Sequence, residues 1–231
     1  MKTRLIKKKP GLSGRRPKTS APEQDTRAAV LKAARTVFAL RGFEGASMRE
    51  VAEVAKVNNA MIYYHFNDKN ELYRAVLAWS FEEFDKIWDH PVFESAAATS
   101  RKKIGTYVAG FIRFQHANEE IRRIMTMEFS SCSGNYKWLA DNHFSQGYER
   151  LAGLLQDAMR SGELMRMNLS LAVPCLIGMI VHSFTVRPIA EHIIGRKLDL
   201  NAARFGKFVT GMFFDGLSAE IKIRRTVRTK S

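Results

Sequence analysis

Apolar residues recur at helical spacing along most of the chain. Val30, Ala34, Val37 and Phe38 fall three and four apart, the repeat of one helix face. That pattern stops at Gly42, and Phe43 after it supplies the apolar contact of a helix stop. A short second helix follows. "SMRE" sets Ser47 three residues before Glu50, a capping box, and Val51, Ala52, Val54 and Ala55 give the inner face. Asn58 is placed to cap a third helix, in which Ile62 and Phe66 lie four apart and face the core. Asp68 with Glu71 repeats the capping-box pattern. It opens a long fourth helix through Leu72, Val76 and Trp79 toward Trp88, stopped by Pro91. Further amphipathic helices are predicted over 100–117, 119–130, 136–161, 169–187 and 201–220. No period-2 run reads as a strand, so the expected fold class is all-α.

Charge narrows the function classes. Lys and Arg number 37 against 23 Asp and Glu, giving a net charge of +14 and a pI near 10.0. Such a balance favours a polyanionic partner, nucleic acid before an anionic membrane surface. Lys2, Arg4, Lys7, Lys8, Lys9, Arg15, Arg16 and Lys18 crowd the first twenty residues without an acid, and prolines and glycines break any helix there. A second basic cluster runs from Lys222 to Lys230. Cys132 and Cys175 are far apart, so neither a disulfide scaffold nor a zinc knuckle is implied. No apolar run follows the basic N-terminus, so a secretory signal is not expected, and a cytoplasmic, nucleoid-associated protein is. The uncharged run 169–186 is at the lower limit of a membrane span. With Ser170, Pro174, His182, Ser183 and Thr185 in it, it reads as a buried helix, and no membrane partner is expected.

Residues 47–69 carry the functional signal. Three short helices with a tight turn between the second and third form a helix-turn-helix, whose third helix can lie in the major groove of DNA. Asn58, Asn59, Ala60 and Met61 stand at its exposed start. Asn matches adenine in two places, and Ala or Met can touch a thymine methyl. Tyr63, Tyr64 and His65 can donate to phosphate while their rings pack on protein; the alternative for Tyr64 and His65 is packing between helices three and four. Lys69, at the start of helix four, suits phosphate through its own charge and the helix amides.

"FALRGFEGASMREVAEVAKV" followed by "IYYHFNDKNEL" resembles the DNA-binding domain of the tetracycline-repressor (TetR) family over residues 26–77. By that resemblance Ser47, Arg49, Asn58, Asn59, Tyr63, Tyr64, His65 and Lys69 are the DNA contacts. Lys56 stands where the family places a turn glycine; if its backbone is left-handed, Lys costs on the order of 1 kcal/mol more than Gly. A DNA contact from Lys56 would offset that. The resemblance implies a homodimer that reads a palindromic operator on double-stranded DNA and is released by a small organic effector of unstated identity. The alternatives are a ligand-responsive activator and a sequence-indifferent basic DNA-binding protein. No cofactor or metal is implied, and no cluster has metal-ligand spacing. No Gly-rich phosphate loop, GxSxG elbow or HExxH supports an enzyme.

The expected division is a flexible basic arm over 1–24, the helix-turn-helix domain over 25–70, an effector-binding and dimerisation domain over 71–221 and a basic tail over 222–231. The resemblance implies a dimer interface on the last two long helices. Ile177, Val181, Phe205, Phe208, Met212 and Phe213 are its candidates, with a large intramolecular core as the alternative. Candidates for an apolar effector pocket are Phe111, Gln115, Met127, Trp138, His143, Tyr148, Met179 and His182, against plain core packing. The basic arm either follows DNA or is a solubilising tail. If it follows DNA, deleting residues 1–20 weakens binding to every sequence and flattens its salt dependence. Titrating wild type and deletion with DNA at several salt concentrations decides this, since a tail leaves the slope unchanged.

Overall fold

Side-chain caps set where the helices begin. In the computed structural model Ser47 Oγ accepts from the Glu50 amide at 3.1 Å, Asn58 Oδ1 from Met61 at 2.7 Å and Asp68 Oδ1 from Glu71 at 2.8 Å. Each satisfies an amide that the first helical turn leaves without a partner. The reciprocal half of both expected capping boxes is replaced. Glu50 instead pairs with Arg41 at 3.2 Å, and Glu71 accepts from the backbone and side chain of Asn67 at 2.9 and 2.7 Å. The structure describes residues 21–131 and 134–228, with side chains over 25–131 and 134–216. The basic arm, Cys132 and the side chains of the C-terminal cluster lie outside the described residues.

The helices are α1 (Ala21–Gly45), α2 (Met48–Ala55), α3 (Asn59–His65), α4 (Lys69–Asp85), α5 (Ser100–Ala117), α6 (Glu119–Ser131), α7 (Asn135–Leu139), α8 (Ser145–Arg160), α9 (Leu169–Ile194) and α10 (Arg204–Arg228). Tight 3₁₀ turns at Lys86–Asp89 and Pro91–Phe93 lead out of α4. No strand occurs among the described residues.

The break at Gly42 is real but does not end α1. Gly42 takes φ 69°, ψ 178°, after which one further turn runs to Gly45. Positive φ suits glycine, which has no Cβ to clash. Lys56 is left-handed too, at φ 57°, and is the one non-glycine with positive φ among the described residues. Its amide faces the carbonyls of Ala52 and Glu53 and closes α2.

A continuous apolar core runs from the first three helices into the bundle. Val30, Ala34, Val37 and Phe38 of α1 meet Val51, Ile62 and Phe66, then Leu72, Tyr73, Val76 and Leu77 of α4. Tyr73 packs edge-on to Phe38 at 4.9 Å and against Phe43 at 4.9 Å. The expected single helix over 136–161 is interrupted. Residues Ala140–Phe144 widen into a π turn, and Ser145 Oγ donates to the Ala140 carbonyl at 2.6 Å. Such bulges insert a residue without ending the helix.

Helix α9 runs past the expected end, through Pro188 to Ile194. It is long and apolar enough to cross a membrane, yet only 28% of its most apolar stretch is buried. Ala172, Val173, Leu176, Ile180 and Phe184 enter the core, whereas Leu171, Ile189 and Ile193 stand exposed. The sequence pattern asks for cover on every side; within one chain the helix is covered on one face.

Glu191 fixes the turn after α9. It accepts from Arg187 Nε at 2.8 Å, the Leu198 amide at 2.8 Å and Lys197 Nζ at 3.3 Å. The Arg187 and Leu198 hydrogen bonds hold its carboxyl at about 2, below the ordinary 4.5. A carboxylate depressed on folding adds stability above its unfolded value and loses it as pH falls through the folded one. Glu191→Gln should therefore lower the melting temperature at pH 7, and the gap to wild type should narrow between pH 4.5 and 2 in thermal scans.

Candidate DNA-binding surface and effector cavity

Helix α3 is anchored from below and open above. Ile62 and Phe66 are 0% and 2% exposed, and Arg27 lies over the Phe66 ring at 5.3 Å. The opposite face presents Asn59, Ala60, Met61, Tyr63 and Tyr64 to solvent, with Tyr64 70% exposed. A helix fixed on one side and bearing amide, methyl and phenol groups on the other suits a DNA groove. Asn58 spends its amide oxygen on the cap, leaving its NH₂ to donate. Ser47 Oγ accepts the Glu50 amide and keeps its hydroxyl hydrogen to donate. Arg49 is exposed and pairs with Glu53 at 3.1 Å, a solvated contact easily exchanged for phosphate. Lys56 projects from the turn, fully accessible.

Two expected phosphate contacts turn inward. His65 is half-buried between Tyr64 and Phe66, and its Nε2 is buried without a hydrogen-bond partner. Lys69 Nζ donates to the carbonyls of Glu44 and Ala46, each at 3.3 Å, and lies 4.5 Å from the centre of the Phe43 ring. In this conformation Lys69 holds the end of α1 against α4. The sequence places both residues in a donor-rich run but does not carry the position of the α1 carbonyls.

A second feature lies between α4, α5, α6, α8 and α9. It is a cavity of about 260 Å³ with an aromatic lining that includes Phe81, Phe84, Tyr107 and Phe114. Four of the expected pocket residues line it: Phe111, Gln115, His143 and Tyr148. Met127, Trp138, Met179 and His182 do not. Met127 turns toward α1, Trp138 meets His143 edge-on at 5.0 Å, Met179 packs on the core and His182 is exposed. Ile177 and Val181, expected at a dimer interface, line the cavity. Phe205 and Phe213 are buried within the chain, while Phe208 and Met212 are 60% and 52% exposed. Helix α9 is apolar all round, so its sequence gives no way to choose which side meets which neighbour. Arg122 and Thr126 also line the cavity and were not expected there. Burial lowers the His143 pKa, so its imidazole is neutral near pH 7.

Helix α6 belongs to both features. Ile121, Arg122, Met125, Thr126 and Phe129 face the cavity. From its other side Glu120 accepts from Arg35 Nε and Thr36 Oγ1 of α1, each at 2.7 Å. Glu128, 2% exposed, accepts from the Tyr73 hydroxyl of α4 at 2.9 Å. Burial, and then the Glu128 charge, push the Tyr73 pKa well above its usual value, so it stays a donor. Met127 Sδ lies 3.3 Å from where a Cβ on Gly42 would sit.

Residues 30–76 match the family model described as bacterial regulatory proteins, tetR family. Over those residues the chain is similar to the tetR family of bacterial regulatory proteins. Among relatives, the transcriptional repressor KstR2 of Mycolicibacterium smegmatis is 27% identical over 109 residues, 46% of this chain and 51% of that protein. The transcriptional regulator TtgR of Pseudomonas putida is 40% identical over 70 residues, 30% of this chain and 33% of its own. These matches thus span about half and about a third of the relatives' length. Solved structures extend the likeness in fold. The hemolysin II regulator HlyIIR has a TM-score of 0.64 at 23% identity, covering 83% of this chain and 98% of that one. FadR of Bacillus halodurans has a TM-score of 0.69 at 20% identity, covering 87% and 98%.

The exposed face of α3 and the left-handed Lys56 generate two separable expectations. Asn59→Ala should cost about 1–3 kcal/mol in operator binding and relax preference at one base position, with the melting temperature unmoved. Lys56→Gly should raise unfolding stability by about 1 kcal/mol. If the ammonium meets phosphate, the same variant should lower the salt slope of DNA affinity by about one. Selection from randomised operators, urea unfolding and salt titrations measure these effects.

Proposed function

We propose that the protein is a homodimeric transcriptional repressor that leaves a palindromic operator when a small apolar effector fills the cavity. The observation that carries this is the two-sidedness of α6, one face on the cavity and the other holding α1 and α4. Residues 25–70 read DNA, residues 71–221 bind effector and pair the subunits, and the basic segments at 1–24 and 222–231 add contacts to phosphate. Two recognition helices must reach two half-sites about one DNA turn apart, so a small tilt of α4 changes the fit to both. An effector that fits only the tilted arrangement draws population toward it, with coupling of about 1–3 kcal/mol.

Two lines support the paired and liganded parts. The exposed apolar face of α9 and the exposed Phe208 and Met212 of α10 need a cover, which a second copy packing the same helices supplies. FadR of Bacillus subtilis, similar at a TM-score of 0.68 and 18% identity, was solved in complex with stearoyl-CoA, a ligand with a long apolar part. The relatives carry both signs of regulation. KstR2 is named a repressor, and FasR of Mycolicibacterium smegmatis, 42% identical over 64 residues, an activator. Operator position relative to the promoter separates the two.

Selecting genomic fragments with the purified protein, at physiological salt and with competitor DNA, tests the first half. An inverted repeat supports a dimeric sequence reader, and fragments without a shared sequence reduce it to basic, sequence-indifferent binding. Glu120→Ala tests the second half, because it removes the tie to Arg35 and Thr36 without touching the cavity lining. Effector affinity should persist while effector-driven release of operator falls severalfold. Release equal to wild type would remove α6 as the link.

A further inference from the structure

Arg122 is the one Lys, Arg, Asp or Glu side chain lining the aromatic cavity, and it has no acid of its own. The nearby carboxylates are taken: Glu119 by Arg123 at 2.8 Å, Glu120 by Arg35 and Glu128 by Tyr73. Among the described residues Arg122 makes no ion pair. Its guanidinium lies over Phe184 at 5.2 Å, and Nη1 donates to the Gln115 carbonyl at the end of α5. That accounts for one of five N–H donors. Burial is the main cause that lowers its pKa, the signature of a cation paying for lost water without a full counter-charge. If Arg122 served only to cap α5, one hydrogen bond would do, and a charge against an aromatic cavity would be a cost without return.

Among the other polar groups on the lining the two threonines are satisfied, whereas His143 Nε2 and Gln115 Oε1 are buried without a partner. Thr126 and Thr185 donate to their own helices, at 2.9 Å to the Arg122 carbonyl and 3.0 Å to that of Val181. Gln115 is 6% exposed and its Oε1 has no partner, so its amide is free to reorient toward a ligand head beside Arg122. Beyond Gly147 lies a polar cleft with Glu82, Asp85 and Asp89, but Lys86 and Arg150 line it too. Those acids have cations at hand, whereas Arg122 feels the charge of Glu119 without forming an ion pair with it.

We propose that the effector is a small monocarboxylic acid with an alkyl or aryl body, its carboxylate held by Arg122 and its body by the aromatic lining. This rests on the cavity being the effector site. Volume restricts it further. A cavity of about 260 Å³ is at the small end of ligand sites, the size for a medium-length chain or one ring with a short tail. Guanidinium and carboxylate match as a two-pronged hydrogen-bonded pair, and a site with few other donors makes that pair count.

Calorimetry on the full-length protein tests this with medium-chain alkanoic and ω-phenylalkanoic acids, each beside the alcohol and the amine of the same skeleton. A neutral fluorescent probe, N-phenyl-1-naphthylamine, reports entry into the cavity independently of charge. Acids should bind about tenfold or more tightly than the matched alcohols. In Arg122→Gln the acid-to-alcohol ratio should fall toward one, and Arg122→Lys should restore part of it; melting curves check that both variants fold. Probe uptake with no acid preference, or with amines preferred, overturns the proposal while leaving the cavity as the effector site. An acid preference that survives in Arg122→Gln overturns the role of Arg122. Failure of the probe and of every ligand to bind sinks the effector-cavity reading and the acid proposal with it.

Discussion

Glu120 accepts two hydrogen bonds from α1, from Arg35 and from Thr36, and Arg35 also stacks on Trp79 of α4 at 5.0 Å. A carboxylate partly withdrawn from water needs those donors, and a guanidinium beside an indole needs that carboxylate. One small group of atoms therefore ties three helices. Lower down, the buried Glu128–Tyr73 hydrogen bond repeats the tie between α6 and α4. Breaking a buried pair of this kind leaves a polar group stranded, so the alternatives to the observed packing are few and discrete. The placement of α3 relative to the bundle follows from this, because α1 and α4 are the helices on which α2 and α3 rest.

Much of the DNA-reading end was legible in the sequence because its determinants are local. A cap needs a short polar side chain and an amide two or three residues on, and Ser47, Asn58 and Asp68 each show that spacing. Gly42 and Lys56 could be placed at turns for the same reason, and both take positive φ. Lys69 was legible as a cation at a helix start but not as the clasp of α1, since the carbonyls it holds lie 23 and 25 residues earlier.

The cavity was legible only in part. Its walls come from five helices, and no short window of sequence contains more than a few of them. Aromatic and Met abundance pointed to an adaptable interior but could not separate lining from core. Met127 and Trp138 show this, since neither is in the lining. Arg122 was missed because an arginine on an amphipathic helix ordinarily reads as solvated; only the fold shows that its side chain passes over Phe184 and into the wall. The π turn at Ala140–Phe144 was invisible for a related reason. It depends on how the wall around His143 and Phe144 packs, not on a breaker residue in the chain.

The half-covered α9 also has a consequence for biosynthesis. This 26-residue helix leaves the ribosome before α10 exists, so its inner face finds α5 and α8 already made while the rest is bare. Until α10 folds back over Gly105 and Val108 that inner part of the bundle is incomplete, and Leu171, Ile189 and Ile193 are open to any apolar surface nearby. The growing chain is then open to chaperones and to premature self-association. How fast α10 follows α9 out of the ribosome thus sets how long the chain must be sheltered, which ties the yield of folded protein to its rate of synthesis.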